Sequence, residues 1–392
     1  MSSVSPAGEG GAPQMRAQAS DEGRVYQAGR DQYVTENHFH FAAPGTGPTD
    51  DPPGGGGTDR RGFIQRVGGL AGVLMSDGVS RSGSQVRVDP GLIGSLAMLR
   101  RNLVTSERSM GPAQVLPLAR QQISVLSLMR RDTSDRALGR DILKLQATWM
   151  DFLGWLWQSS GDFETAGTYA EKSATLAMAA GDQVLAGYFH ARRSQMATDD
   201  FDAHVGLGLA EQSVGGDRPP SRMRAFGHQQ CAHAWALLGD ERRALAALDT
   251  AQHMIHEPEA PRDPLGVSAG FMTDNYLRAQ RAVILLRVGR LEQATDEMRS
   301  SLDAWDTGFN HEMGLHQANL AHAYALAGDT TTSFEYAEAA LRNALETGSG
   351  RTLHVLAAVV RELYDKVRWS AEFESFARRV EFALRPPGTV DG

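Results

Sequence analysis

The chain has 392 residues, of which 22% are charged, and its formal net charge at pH 7 is −8. A mildly acidic chain has no overall electrostatic attraction to nucleic acid or anionic lipid, so we expect no direct nucleic-acid partner and no membrane partner. Its single cysteine, Cys231, excludes an intramolecular disulfide framework and favours a reducing compartment such as the cytoplasm.

Residues 1–58 are predicted to form a disordered arm. They contain 11 glycines and 6 prolines, and the segment ends in the run PPGGGG. Such a composition buries too little apolar surface to offset the conformational entropy that folding would remove.

One segment of the arm, RVYQAGRDQYVTENHFHF at residues 24–41, has the period-2 alternation of a β-strand. It resembles the RHIM family of amyloid-forming adhesion motifs, and the residues that carry the resemblance are Tyr26, Gln27, Gly29, Gln32, Tyr33 and Val34. The resemblance implies cross-β assembly with copies of the same or a related motif, in which stacked glutamines form amide ladders. The alternative is a docking peptide or an inert segment. His38 and His40 are too few ligands for a metal site, and we expect no metal.

Residues 59–132 are predicted to be helices that link or cap the domain that follows. Asp89 and Pro90 suit the N-cap and first turn of one of them. The pair Arg60–Arg61 precedes a short apolar run and imitates a twin-arginine export signal. Because this run has only nine residues and no cleavage site follows, we favour a short packing helix and a cytoplasmic protein. Export by the twin-arginine route is the alternative.

Residues 133–385 are rich in alanine and leucine at helical spacing and contain four regularly placed glycines: Gly161, Gly239, Gly289 and Gly328. A small residue lies seven positions before each glycine, five positions after it and twelve positions after it. A large aromatic or apolar residue lies four positions before each glycine. This residue is Trp or Tyr in three cases and Leu285 in the fourth. Antiparallel helices approach closely where small side chains face each other, and glycine allows the tight turn between them.

This order of small, large, Gly, small and small residues resembles the tetratricopeptide repeat (TPR). The resemblance implies an all-α, TPR-like α-solenoid of helical hairpins after the disordered arm, with a disordered tail at residues 386–392. The glycines are spaced by 78, 50 and 39 residues, whereas the ideal repeat has 34. We therefore expect a degenerate unit in the longest gap, within AGYFHARRSQMATDDFDAHVGLGLAEQS. An ordinary helical bundle is the alternative.

TPR-like arrays present a concave groove, lined by the first helix of each hairpin, to a peptide or partner protein. In this register the groove residues are Asp151, Trp155, Gln229, His233, Tyr276, Asn319 and His322. Some TPR domains grip a terminal carboxylate with Lys, Arg and Asn. The matching positions here hold Asp151, Trp155, Gln230 and His233, so an acidic chaperone tail is not expected.

No catalytic motif is present in the sequence: we find no phosphate-binding Gly-Lys-Ser/Thr loop, no H-E-x-x-H and no G-x-S-x-G. We therefore predict a protein that is not an enzyme and needs no cofactor. The resemblances to the TPR and to the RHIM family imply an interaction or scaffold protein in bacterial signalling or defence. Its glycine and alanine content is typical of actinobacterial proteins. The alternatives are a regulatory subunit that acts on transcription through a partner, and an exported TPR-like protein.

Overall fold

The computed structural model describes residues 79–82, 85–88, 91–215, 221–257, 271–305, 310–367 and 370–385. The chain divides into two compact units, residues 1–58 and 59–392, and all the described residues belong to the second. The predicted assembly motif at residues 26–34, the pair Arg60–Arg61, the predicted cap at residues 89–90 and the tail at 386–392 lie outside the described residues.

The described part of the chain forms two short strands followed by fourteen α-helices. The strands are β1 (Val79–Ser82) and β2 (Gln85–Val88). The helices are α1 (Gly91–Met110), α2 (Pro112–Asp132), α3 (Arg136–Ser159), α4 (Phe163–Ala179), α5 (Gln183–Asp199), α6 (Ala203–Val214), α7 (Ser221–Leu237), α8 (Glu241–Met254), α9 (Asp274–Arg287), α10 (Leu291–Asp303), α11 (Asn310–Ala327), α12 (Thr330–Thr347), α13 (Gly350–Val367) and α14 (Ala371–Leu384).

The two strands differ from the helical structure that we expect for residues 59–132. They form an antiparallel hairpin in which Val79 pairs with Val88 and Ser82 pairs with Gln85. Their sequences, VSRS and QVRV, place β-branched valines among polar residues at a spacing of two, a pattern that favours a strand. The prediction of helix is therefore wrong for these eight residues, whereas α1 and α2 account for residues 91–110 and 112–132.

Consecutive helices pack in antiparallel pairs, from α1 with α2 to α13 with α14. The four glycines that define the predicted repeat lie at the turns inside four of these pairs, and their φ angles are between 77° and 89°. Residues other than glycine rarely adopt such backbone angles. An aspartate follows three of the glycines and caps the next helix; Asp240, for example, accepts a hydrogen bond of 2.9 Å from the backbone N–H of Arg243.

The helices α5 and α6 form a further hairpin within the gap that we assign to a degenerate unit. The turn between them contains Phe201, at φ 61°, where the other four turns have glycine. Residues seven before, five after and twelve after Phe201 are Ser194, Gly206 and Ser213, which are as small as their counterparts. Phe201 lies 40 residues after Gly161, so this unit restores a nearly regular spacing.

The small residues of the repeat pattern are buried where neighbouring helices cross. Every one at the positions five and twelve after the marker glycines is at most 2% exposed: Ala166, Ala244, Ala294, Ser333, Ser173, Ala251, Ser301 and Ala340. The first three helices are packed differently, by a core of larger side chains that includes Leu103, Leu126 and Trp149. The repeat region thus gains its close packing from small side chains and α1–α3 from large ones.

Helices that are distant in sequence also meet within this unit. The helices α11 and α12 pack against α1, and α13 packs against α3. These approaches are close enough to require glycine: a Cβ atom on Gly350 would lie 2.2 Å from the carbonyl oxygen of Ser160, and one on Gly111 would lie 1.7 Å from that of Thr347. None of the described helices has the length and apolar character needed to cross a membrane.

Candidate functional site

A cavity of about 1010 Å³ lies on the inner side of the helical hairpins. Its wall comes mainly from the first helix of each pair, namely α1, α3, α5, α7, α9, α11 and α13. Because α11 and α13 approach α1 and α3, residues from both ends of the helical array border the same space. We call the side chains that line this cavity the inner wall.

Six of the seven groove residues predicted from the sequence line this cavity: Asp151, Trp155, His233, Tyr276, Asn319 and His322. The seventh, Gln229, is fully buried and is not part of the inner wall. Its side-chain amide donates a hydrogen bond of 3.4 Å to the Tyr276 hydroxyl. Gln229 therefore supports a lining residue, and its neighbour in the chain, Gln230, lines the cavity instead.

The inner wall is rich in arginine although the whole chain is acidic. Seven arginines line the cavity: Arg100, Arg101, Arg108, Arg192, Arg287, Arg351 and Arg361. Five carboxylates accompany them: Glu107, Asp151, Asp199, Asp200 and Glu312. The positions that form the carboxylate clamp in other TPR domains carry no arginine in this chain. The seven arginines come from other positions, mainly on the first helices of the hairpins, and they outnumber the carboxylates of the wall.

Two of the lining residues form an ion pair that is almost completely buried. Nε of Arg192 lies 3.0 Å from Oδ1 of Asp151, and the two side chains are 5% and 8% exposed. Arg192 also donates a hydrogen bond of 3.1 Å to the side chain of Gln158. Gln158 in turn donates one of 2.7 Å to Asp199. This network joins α3 to α5 and fixes one side of the inner wall.

Two guanidinium groups contact the indole ring of Trp155. The Cζ atoms of Arg192 and Arg351 are 5.2 Å and 5.4 Å from the centre of its indole ring. Such cation–π contacts hold a guanidinium in place without neutralising its charge. Arg351 also pairs with Asp199 at 3.4 Å, which links α13 to α5.

Glu107 and His311 meet next to Trp155, where α1 and α11 approach each other. His311 Nε2 is 3.9 Å from Glu107 Oε1. Burial raises the pKa of Glu107 to about 7, against the effect of a hydrogen bond from the Trp155 side chain. Burial also lowers the pKa of His311 to about 4. At neutral pH His311 is therefore uncharged and Glu107 is close to half-protonated.

Within the part of the chain that the structure describes, Arg287 is held by a histidine and not by a carboxylate. Its Nη1 donates a hydrogen bond of 3.0 Å to Nδ1 of His233. The other ring nitrogen of His233, Nε2, lies 2.9 Å from the side-chain oxygen of Gln280. Burial lowers the pKa of His233 to about 3, so the ring is neutral and its tautomer is set: Nε2 donates to Gln280 and Nδ1 accepts from Arg287.

Two further features of the wall are suited to contact with a ligand. Gln230 is fully buried, and neither the nitrogen nor the oxygen of its amide has a hydrogen-bond partner among the described residues. Phe201 also lines the cavity, and its side chain is 76% exposed. Its φ angle is positive. A buried amide without hydrogen-bond partners and an exposed aromatic ring are both energetically unfavourable, and a ligand that contacts them would stabilise the protein.

Two kinds of nucleophilic side chain are missing from the inner wall as the structure describes it: neither serine nor cysteine is among the lining residues. Cys231 is buried among the helices, and burial raises its pKa to about 12, which keeps the thiol protonated. Burial lowers the pKa of His316 to about 3, as it does that of His233, so both rings are uncharged near pH 7.

Comparison with known proteins gives fold likenesses alone: no family model and no curated protein matches the chain. The structure of a Rap protein complexed with Competence and Sporulation Factor is 10% identical, covers 83% of this chain and 99% of its own, and has a TM-score of 0.46. NprR in complex with its cognate peptide NprX is 13% identical, covers 83% and 86%, and has a TM-score of 0.49. YrrB, a TPR protein with an unusual peptide-binding site, is 15% identical, covers 54% and 92%, and has a TM-score of 0.27.

The described helices form an all-α, TPR-like α-solenoid, as expected from the repeat pattern. Its antiparallel helical hairpins stack side by side, with positive-φ turns inside the pairs and small buried residues where the helices cross. Stacked hairpins of this kind present their first helices along one inner face, where the cavity lies.

Proposed function

We propose that this protein is a non-enzymatic interaction protein that binds a short peptide, or an extended segment of a partner protein, in its cavity. The six predicted groove residues that line the cavity would contact that ligand, and Gln229 would support Tyr276 from behind. The role we assign is bacterial signalling or defence. In this proposal the motif at residues 26–34 assembles with copies of itself or of a related motif, and no cofactor or metal takes part.

The observation that carries the proposal is the composition of the inner wall. Arginine, tryptophan and tyrosine side chains dominate the energetics of protein recognition, and all three project into one cavity from several hairpins. The unpaired amide of Gln230 offers a donor and an acceptor together, which matches the N–H and C=O of a peptide backbone. The volume lies at the upper end of the range for small-molecule sites and leaves room for a short peptide.

Phe201 offers a way to separate binding from stability. Its ring is exposed at the cavity while its backbone is in the left-handed region. Four other hairpins use glycine at this turn, so Phe201→Gly removes a strain of about 1 kcal/mol and should not weaken the fold. If the ring contacts a bound peptide, the same change removes an aromatic contact worth a comparable or larger amount.

The test is a selection from a library of random six-residue peptides on the full chain, followed by calorimetric titration of the selected peptides. We expect Phe201→Gly to weaken their binding about tenfold while thermal unfolding stays unchanged or moves to a higher temperature. Phe382→Ala is the matched control, because Phe382 is also 76% exposed but lies on α14 away from the cavity. Failure to select any peptide would contradict the proposal. The assembly role needs a separate measurement: a peptide of residues 22–42 that stays monomeric and binds no thioflavin would remove it.

A further inference from the structure

We infer that the cavity holds its ligand by a carboxylate, which binds the guanidinium of Arg287 with the help of His233 and the Gln230 amide. The inference rests on the proposed function and narrows it to peptides with an acidic side chain or a free C-terminus at one fixed position. It assigns Arg287 as a specificity-determining residue, and His233 as the residue that positions it.

The pairing of charges in the inner wall singles out Arg287. Arg192 and Arg351 each have an aspartate partner, at 3.0 Å and 3.4 Å. No carboxylate among the described residues forms an ion pair with Arg287, whose one hydrogen bond there is to neutral His233. A guanidinium has five N–H donors, so most of those on Arg287 remain available. A half-buried cation without a counter-ion is costly, and an anionic ligand would offset that cost.

The support behind Arg287 fixes the direction of its donors. The Gln280 side chain holds His233 in one tautomer, and His233 accepts from Nη1 of Arg287. A planar guanidinium fixed in this way presents its remaining N–H groups as a fork that suits the two oxygens of a carboxylate. Burial lowers the pKa of His233 to about 3, so this ring does not compete for the anion as a second cation at neutral pH.

Gln230 gives an independent indication of a ligand at the same place. It lies one helical turn before His233 on α7, and residues three apart on a helix share a face. Both of its amide atoms are buried without a partner among the described residues, although the residue lines the cavity. Such an amide would donate to a carboxylate oxygen, or bond to the peptide group next to it.

The other acidic groups of the wall leave this position free. Asp199 acts on the pKa of Arg287 from a distance but already accepts hydrogen bonds from Gln158 and Arg351. Burial raises the pKa of Glu312, which weakens it as a counter-ion. The wall therefore lacks one negative charge near Arg287, and the ligand would bring it.

The test compares peptides selected from the random six-residue library with their uncharged forms, on wild type and on Arg287→Gln. One form has an amidated C-terminus, and the other has each Asp or Glu replaced by Asn or Gln, which distinguishes the two sources of a carboxylate. We expect one of these changes to weaken binding to wild type about 10- to 100-fold, as for a hydrogen bond to a charged group. In Arg287→Gln the same change should matter less than about threefold, because the partner of the carboxylate is gone.

Arg278→Gln is the matched control, because Arg278 lies on the same helix, is about half exposed and pairs with Glu297 outside the cavity. It should keep the full preference for the charged peptide. Arg287→Gln removes a cation that has no paired carboxylate, so it should fold with an unchanged or higher midpoint of thermal unfolding.

A second measurement uses succinate as a probe in place of a peptide. At constant ionic strength, succinate should raise the thermal midpoint of wild type and of Arg278→Gln relative to chloride, and leave that of Arg287→Gln unchanged. Peptides that bind without any dependence on a carboxylate, or with the same dependence in Arg287→Gln, overturn the inference and leave the proposed function standing. Stabilisation by succinate that needs Arg287, with no peptide bound, supports the anion site and contradicts the proposed function. Absence of an Arg287-dependent effect in both measurements also overturns the inference.

Discussion

The helix crossings and the inner wall of the cavity are built from opposite kinds of side chain. At the crossings, residues such as Ala244 and Ala251 are small, apolar and fully buried. On the inner wall, residues such as Arg192, Arg287 and Trp155 are large, and many are charged. The first helix of a hairpin can carry both sets on different faces: α7 has the fully buried Ala232, the small residue seven positions before Gly239, directly before His233 of the inner wall.

The difference indicates how stability and recognition are divided in this fold. Where small residues pack closely, their atoms contact other parts of the chain, so no surface remains there for a ligand. Counting only partners among the described residues, the inner wall has a half-buried cation without a paired carboxylate and a glutamine amide without partners. It also has an exposed phenylalanine with positive φ. Features of this kind lower the stability of a protein that has no ligand bound, and proteins retain them mainly at functional sites.

Removal of one partner of the buried ion pair should have the largest effect on stability. Arg192→Ala leaves Asp151 buried without its cation and also removes the contact with Trp155. We expect a loss of about 3–5 kcal/mol in the free energy of unfolding, measured by urea denaturation followed by circular dichroism. This would show that the polar wall, although built for binding, also holds α3 and α5 together.

The neighbouring residue provides the control for that experiment. Arg193 pairs with Glu171 at 3.4 Å, but the two side chains are 29% and 69% exposed. Arg193→Ala should cost at most about 1 kcal/mol, because water screens an exposed pair. Equal effects of the two substitutions would contradict the burial argument. The double substitution Arg192→Met with Asp151→Leu should recover much of the stability by replacing the pair with apolar groups.

A pH-dependent effect should come from Glu107, where the cavity wall joins α1 to α11. In the folded chain its pKa is raised from the ordinary 4.5 to about 7. Below pH 4.5 the group is protonated in both states and costs nothing. Between pH 4.5 and 7 the folded state retains a proton that the unfolded state has lost, so stability falls as pH rises, by about 1.4 kcal/mol per unit.

Glu107→Gln removes this loss and keeps a side chain of similar shape. The free energy of unfolding of the variant relative to wild type should be near zero at pH 4.5 and reach about 3 kcal/mol in favour of the variant at pH 8. Denaturation of both proteins across this range gives the difference, in which other titrating groups cancel. Glu171→Gln, at a side chain that is 69% exposed, should show no such trend. A difference that does not change with pH would mean that Glu107 is charged in the folded state throughout.

The helix crossings could be predicted from the sequence because their pattern is local. The marker glycines and the small residues around them lie within one hairpin, and the packing of two adjacent helices depends on little else. The degenerate hairpin was placed correctly, but its turn residue was not identified, because Phe201 has the backbone conformation of the glycine without being one. The small residues Ser194, Gly206 and Ser213 were the available signal.

The inner wall was predictable only in part, because it depends on contacts between distant segments. The helical register correctly places His233 and Tyr276 on the cavity side. It also places Gln229 there, whereas Gln230 lines the cavity, an error of one residue that corresponds to about 100° around a helix. The arginines were missed because Arg100 and Arg351 come together only through the packing of the last helices against the first. The β-hairpin was missed because its two strands have only four residues each. The predictions for the arm and for Arg60–Arg61 remain predictions.

The smallest effect tests whether the helix crossings are as tightly packed as the pattern implies. Ala244 is fully buried where α8 meets α7, whereas Ala246, two residues later on the same helix, is exposed. Ala244→Leu inserts three carbon atoms into a filled space and should cost about 1–3 kcal/mol of unfolding free energy. Ala246→Leu makes the same chemical change in water and should stay within about 0.5 kcal/mol of wild type. Equal stability of the two variants would mean that α7 and α8 can separate at no cost, and that the small residues are not what brings them together. If Ala244→Leu also leaves peptide affinity unchanged while it lowers stability, the crossings and the inner wall are energetically separate, as their different compositions suggest.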